Sequence, residues 1–248
     1  MQLRILCDDI TTSKAQAIVN PASESLLGTS GLDGRIYRAG GLSLQAACSS
    51  LGSCPEGKAV LTYGYKLPAR YVIHAVAPFW RGGSHREEAL LAACYRNVLA
   101  LAREKELTYI AFSSLGTGKR FPLSRAAAVA IPVLYEESAG FSRIDMVCET
   151  AAEAAAYTTY AVRYVLHQCN VKNASQTRCE QALAALMTLR QMPGGKDPLA
   201  EADRLVALRR LLRPFAGQKA LRSLPQLEQM AAQILRLYEQ PEANVMRT

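Results

Sequence analysis

Four loop segments carry residues able to hold or cleave a charged ligand, and each follows a short apolar run. Asp8-Asp9-Ile10-Thr11 comes directly after LRILC. A carboxylate there can accept hydrogen bonds from an exocyclic amine, or it can cap the turn that follows. Asn20 lies in Val19-Asn20-Pro21-Ala22-Ser23, where its carboxamide offers a donor and an acceptor to a ligand or to nearby backbone. Leu27-Gly28-Thr29-Ser30-Gly31-Leu32-Asp33-Gly34 leads into an apolar helical stretch. Glycines opening a helix let backbone N–H groups approach a phosphate, and the helix dipole adds attraction. Asp33 suits the dipole in that first turn, and can equally orient a water or a ribose hydroxyl.

The fourth segment, Ser114-Leu115-Gly116-Thr117-Gly118-Lys119-Arg120-Phe121-Pro122, repeats the glycine pattern and adds two cations. Lys119 and Arg120 either pair with a diphosphate or stand solvated at a loop tip. Two such loops, both at strand-to-helix turns, point to an anionic ligand such as a diphosphate. The other reactive side chains read as structural. His74 lies in an apolar run and suits a core histidine better than a general base. His85 and His167 have no partner at ligand spacing, so no metal site is expected. Cys94 falls on the apolar face of a helix, as a packing residue does.

These loops must be held by the elements between them. LRILC (3–7), QAIVN (16–20), KAVLTY (58–63), RYVIHAV (70–76), TYIAFSS (108–114) and RIDMVC (143–148) read as strands. Helical stretches are predicted near 33–50, 86–105, 124–138 and 151–168; Leu90, Leu91, Cys94, Val98, Leu101 and Ala102 share one face of the second. Alternation of this kind implies a sheet covered on both sides, with ligands at the carboxyl ends of its strands.

The pattern changes after Gln168. Loop-like NVKNASQ and MPGGKDP frame three amphipathic segments near 176–192, 198–213 and 225–240, with Asp197 as the N-cap ahead of Pro198. The sequence thus divides into an α/β domain, 1–168, and a helical extension, 169–248, too small to bury much alone and suited to docking on the first domain or a partner protein. Half the residues are hydrophobic and a fifth charged, as in ordinary globular proteins. No apolar run reaches the roughly 20 residues of a membrane-spanning helix, and the N-terminus lacks a signal peptide's apolar core. Seven scattered cysteines without a CxxC pair fit a reducing compartment, the cytosol by default. The net charge of +8 is concentrated in residues 170–248, which hold 12 Lys/Arg against 7 Asp/Glu. No aromatic interleaving or nucleic-acid motif accompanies it, so a nucleic-acid partner is not expected.

The segments DIT, IVNPAS, SLLG, GLDGRIYRAGG, CPEGKAVLTYGYKLPARYVIHAV, FWRGG, LLAACYRN, IAFSSLGTG and FPLSRAA occur in that order over about residues 1–165. Together they resemble the bacterial macrodomain family, nearest the MacroD-like branch of O-acetyl-ADP-ribose deacetylases and mono-ADP-ribosyl hydrolases. The resemblance implies a three-layer α/β/α fold with a mixed sheet of about six strands, here with a small C-terminal all-helical appendage. It implies ADP-ribose or an ADP-ribosylated protein as ligand, with no cofactor. Asp9 then receives the adenine amino group, with an Ile10 backbone contact beside it. Asn20 matches the first asparagine of the family's Asn-Ala-Ala-Asn motif. Gly31, Leu32, Asp33 and Gly34 form the catalytic loop, Asp33 helping to position the attacking water. Ser114, Gly116, Thr117 and Gly118 form the second phosphate loop, extended by Lys119 and Arg120, and Trp80 begins a structural turn.

Several positions depart from the family. Ser23 replaces the second asparagine, which helps to hold the distal ribose and the water. Thr29 and Ser30 stand where glycines are usual, and Tyr37 replaces a histidine one helical turn after Asp33. Lys119 and Arg120 fall where an aromatic packs on the distal ribose, and Glu149 where an aromatic stacks on adenine. The resemblance therefore implies a hydrolase built on Asp33, Ser23 and Asn20. The departures keep two alternatives open: a non-catalytic reader of ADP-ribose, or a cleft for another nucleotide or an RNA end.

Overall fold

The computed structural model describes residues 2–168. The three helical segments expected beyond Gln168, and Cys169 and Cys179, lie outside the described residues. The chain divides into two compact units, Met1–Tyr157 and Thr158–Thr248.

The strands are β1 (Gln2–Cys7), β2 (Ala17–Pro21), β3 (Ala59–Tyr63), β4 (Tyr71–Ala75), β5 (Tyr109–Ser113) and β6 (Arg143–Cys148). They form one mixed sheet in the order β1-β6-β5-β2-β4-β3, parallel except for β3, which runs antiparallel to β4. The parallel strands are buried on both faces, as a sheet with helices above and below requires. Even-numbered residues of β2 and β4, such as Ile18 and Val72, join Ile36, Tyr37, Leu44 and Cys48 from α1 (Gly31–Gly40) and α2 (Leu42–Leu51) in one apolar cluster. On the opposite face Phe112 of β5 packs its ring 5.2 Å from Tyr95 of α3 (Glu87–Glu104), and α3 packs in turn on α4 (Leu123–Glu136). A last helix, α5, runs from Ala151 to Gln168.

The single helical stretch expected over 33–50 is two helices. Gly41 has φ +78°, and its N–H closes α1 on the Tyr37 carbonyl before α2 begins. A side chain at Gly40 would meet the Leu44 side chain at 2.4 Å, so the Gly-Gly pair lets the two helices turn tightly against each other. Hydrophobic spacing alone does not register such a break, because the apolar face resumes beyond it.

Parallel register positions the site. Asn20 of β2 is the cross-strand partner of His74 of β4, and cross-strand partners share a face. Both lie on the face covered by α1, which carries Asp33.

Candidate functional site

Asn20, His74 and Thr62 form a buried polar row beneath the start of α1. Asn20 Nδ2 donates to Asp33 Oδ1 at 2.7 Å and lies 3.0 Å from His74 Nδ1. With Nδ1 accepting from that amide, the ring proton sits on Nε2 and donates to Thr62 Oγ1 at 2.9 Å, with Cys48 Sγ 3.4 Å away. Burial lowers the His74 pKa to about 4, so the ring is neutral near pH 7. Asn20 has given both amide hydrogens inward, and its Oδ1 is buried without a partner among the described residues. Turning the amide over would set oxygen against carboxylate; a charged Asp33 fixes its orientation.

Asp33 is 9 % exposed. Burial raises its pKa, opposed by the Asn20 hydrogen bond, by the Ser23 backbone N–H and by the positive charge of Lys119. A carboxylate with an upward-shifted pKa is a better proton acceptor than a free one. Tyr37, one turn later, is a packing residue: its ring lies edge-on to His74 at 5.9 Å, and its hydroxyl donates to the Leu26 carbonyl at 2.6 Å. Gly28, at φ +62°, is required above it, since a Cβ there would fall 2.2 Å from the Tyr37 ring.

Beside this row opens a cleft of about 200 Å³. One wall is Ser30, Gly31 and Leu32; the other is Ser114, Gly116, Thr117, Gly118 and Lys119. Ser30 is the N-cap of α1 but its side chain makes no capping bond. The N–H groups of Gly31, Leu32 and Asp33 therefore lack intrahelical acceptors and carry the positive end of the dipole. Opposite, Gly116 takes a left-handed conformation at φ +88°, and Thr117–Lys119 form one 3-10 turn. The loop is braced from outside: Trp80 N–H donates to the Lys119 carbonyl at 2.9 Å, and the Trp80 ring lies 4.7 Å from that of Phe121.

The two cations part company. Lys119 lines the cleft, whereas the Arg120 guanidinium lies over the Phe79 ring at 5.6 Å. Ser114 also faces two ways: it borders the cleft, but its hydroxyl donates to Tyr157 at 3.1 Å beneath the loop.

At Leu32 and Glu149 the cleft meets a second cavity, of about 360 Å³, lined also by Asp9, Ile10, Arg35 and Val147. Asp9 caps the 3-10 turn Ile10–Thr12 with Oδ1, accepting from Thr11 N–H at 2.9 Å and Thr11 Oγ1 at 2.8 Å. Among the described residues its other oxygen accepts no hydrogen bond, so capping does not use up the carboxylate. Ser23 meets Asp33 only through its backbone N–H, its hydroxyl lying 3.1 Å from that of Ser25.

Three residues that the sequence reading passed over now border the site. Glu153, 9 % exposed, lines the cleft and accepts the Glu149 N–H at 2.9 Å. Cys7 is an exposed thiol on the second cavity. Arg35 pairs with Glu149 across that cavity. Its signal was available, for Arg35 follows Leu32 by three residues and so shares its helix face. Cys94 is a packing residue, its thiol on the Val76 carbonyl and its pKa pushed up to about 12 by burial. Among the described residues no group of three or more His, Cys, Asp or Glu can hold a metal ion, and no helix is long and apolar enough to cross a membrane.

A mixed sheet between helices, with two confluent cavities at its strand ends and a helix N-terminus in their wall, defines a class of proteins that take elongated anionic ligands. The Macro domain family model matches residues 19–130. A macro domain-containing protein of Ralstonia nicotianae is 49% identical over 158 residues, covering 63% of this chain and 92% of the relative. Another, from Lactiplantibacillus plantarum, is 41% identical over 187 residues, covering 75% of this chain and 98% of the relative. Among solved structures, the Oceanobacillus iheyensis macrodomain with ADP superposes with TM-score 0.63 at 34% identity, covering 67% of this chain and 92% of that one. The Trypanosoma brucei macrodomain in complex with ADP-ribose gives 0.57 at 32%, covering 63% and 67%. The chain belongs to the macro domain family.

Proposed function

We propose that this chain binds ADP-ribose, free or attached to protein, and hydrolyses the bond between the distal ribose and its substituent. The observation that carries the reading is the shared cleft: the uncapped start of α1 faces the Gly116-Thr117-Gly118 loop, and the space between them opens toward Asp9. Backbone N–H groups on both walls suit a diphosphate, and a free carboxylate oxygen on Asp9 suits an adenine amino group. The related macrodomains solved with ADP and with ADP-ribose support the same ligand.

In the reaction, Asp33 accepts a proton from a water while that water's oxygen attacks the acetyl carbonyl carbon of O-acetyl-ADP-ribose, or C1″ of an ADP-ribosylated acidic side chain. With O-acetyl-ADP-ribose the carbonyl C–O bond to the ribose breaks, Asp33 returns the proton to the ribose oxygen, and acetate and ADP-ribose are released. With an ADP-ribosylated acidic side chain the C1″–O bond breaks, and the carboxylate leaves. Asn20 positions Asp33, and Lys119 lends positive charge to the same end of the cleft. Titration with ADP-ribose followed by a turnover assay on both substrates tests this. Binding without release of ADP-ribose or acetate removes the hydrolase reading; no binding removes the ligand.

The second reading, a reader without turnover, draws on Ser23 and Tyr37, whose hydroxyls are engaged with Ser25 and with the Leu26 carbonyl. Ser23→Asn separates the two. An impaired hydrolase gains about tenfold or more in rate when a positioning carboxamide is supplied, while a reader gains nothing.

A further inference from the structure

We infer that the Arg35–Glu149 ion pair is the purine platform of this site, the Arg35 guanidinium offering the flat face on which the base of a purine nucleotide stacks. The inference rests on the ADP-ribose reading above and names the residues that select its base. Arg35 projects from α1 and Glu149 from the segment between β6 and α5, so the pair spans two walls of the second cavity. Among the described residues none that lines that cavity is aromatic, and its other apolar surfaces, Ile10, Leu32 and Val147, are aliphatic. A guanidinium is planar, weakly hydrated and attracted to π faces, which an ammonium or an aliphatic chain is not. Such stacking needs a guanidinium held in one plane, and Glu149 supplies the anchor. The main chain at Glu149 is held in turn, since its N–H donates to Glu153 Oε2 at 2.9 Å.

The alternative is a solvated surface pair with no bearing on ligand. The side chains are 47% and 39% exposed, and pairs of that exposure add little to stability. Their position is harder to dismiss. Glu149 and Leu32 border both cavities, so the pair stands where the purine cavity meets the diphosphate cleft. A lone glutamate there would repel a diphosphate; Arg35 cancels its charge. The pair thus does two jobs, and they separate by substitution: losing Arg35 alone removes the platform and exposes the charge, whereas losing both residues removes the platform at constant net charge.

The experiment compares ADP-ribose with ribose 5-phosphate, which keeps a phosphate and the ribose but has no base. By calorimetry, Arg35→Ala/Glu149→Ala weakens ADP-ribose about tenfold and leaves ribose 5-phosphate within about twofold. Arg35→Ala alone weakens both ligands. Arg35→Ala/Glu149→Phe, which restores a flat surface, recovers ADP-ribose affinity. In the unsubstituted protein the Arg35 Nε–H resonance, assigned by its loss in Arg35→Lys, moves upfield with ADP-ribose and stays in place with ribose 5-phosphate. Equal loss of both ligands in the charge-neutral double variant, or no loss of either, overturns the platform while leaving the ADP-ribose reading intact. Failure of the unsubstituted protein to bind ADP-ribose at all overturns both.

Discussion

The Asn20 amide nitrogen lies 2.7 Å from Asp33 Oδ1, and that bond joins the end of a β-strand to the first turn of a helix 13 residues later. Asn20 thereby acts on any reaction through Asp33, with His74 holding its other amide hydrogen. Asn20→Ala removes a donor from a buried carboxylate and leaves His74 Nδ1 without its donor. We expect a loss of about 1–3 kcal/mol in stability by urea unfolding, and turnover reduced about a hundredfold with ADP-ribose affinity changed much less. Unaltered turnover would show that Asp33 needs no such support.

Lys119 lowers the pH at which Asp33 ionises. Burial raises the Asp33 pKa, and the Lys119 charge works against that rise. In Lys119→Met the charged carboxylate loses a stabilising neighbour, so the acid limb of the kcat/KM profile moves to higher pH. On the proposed hydrolase reading, the limb of the unsubstituted protein itself falls above the ordinary carboxylate value. A limb that moves down, or stays fixed, places Lys119 out of reach of Asp33.

His74 makes the fold acid-sensitive. Its folded pKa of about 4 lies below the unfolded value of 6.5, so the unfolded chain takes up the proton first as pH falls. Stability contributed by the neutral ring is complete above about pH 6.5 and lost progressively toward pH 4, by about 3 kcal/mol. Asp33 acts oppositely: its raised pKa means the folded chain binds that proton first, favouring the fold at acid pH. His74→Gln keeps a polar group for Asn20 and Thr62 but cannot protonate. Thermal unfolding between pH 7 and pH 4 should show a flatter decline in that variant, and a parallel decline would assign the acid sensitivity elsewhere.

Gly28 and Gly31 separate steric clash from backbone strain. Both have positive φ, +62° and +58°, but a Cβ at Gly28 meets the Tyr37 ring at 2.2 Å while one at Gly31 meets nothing within 4 Å. Gly31→Ala should lose about 1 kcal/mol and Gly28→Ala about 2–4 kcal/mol, measured by denaturant unfolding. Equal losses would mean that the Tyr37 ring moves aside freely.

Much of the fold is legible in the sequence because β-branched runs bounded by turn residues have one economical arrangement. The strand at 143–148 appears where its pattern predicts, and the other five agree to within a residue or two at their ends. The Gly40-Gly41 break was not legible, since helical periodicity continues across it. Among the site residues, Asp33 stands out by its place in a glycine-rich helix start, and Asp9 by following a strand. Arg35 and Glu149, 114 positions apart in the chain, give no mutual signal until the cavity brings them together.

By itself the sequence determined the alternation of strands and helices, the loops at which ligand chemistry must lie, and the family that those segments resemble. Such features are local, set by side-chain shape, backbone freedom and hydrophobic period. Only the tertiary structure decided that Asn20 faces His74, that Lys119 turns to the cleft while Arg120 lies on Phe79, and that Tyr37 packs beneath Gly28. Parallel pairing joins strands through long crossovers, so which side chains become neighbours depends on sheet register and helix docking, which no short window of residues contains.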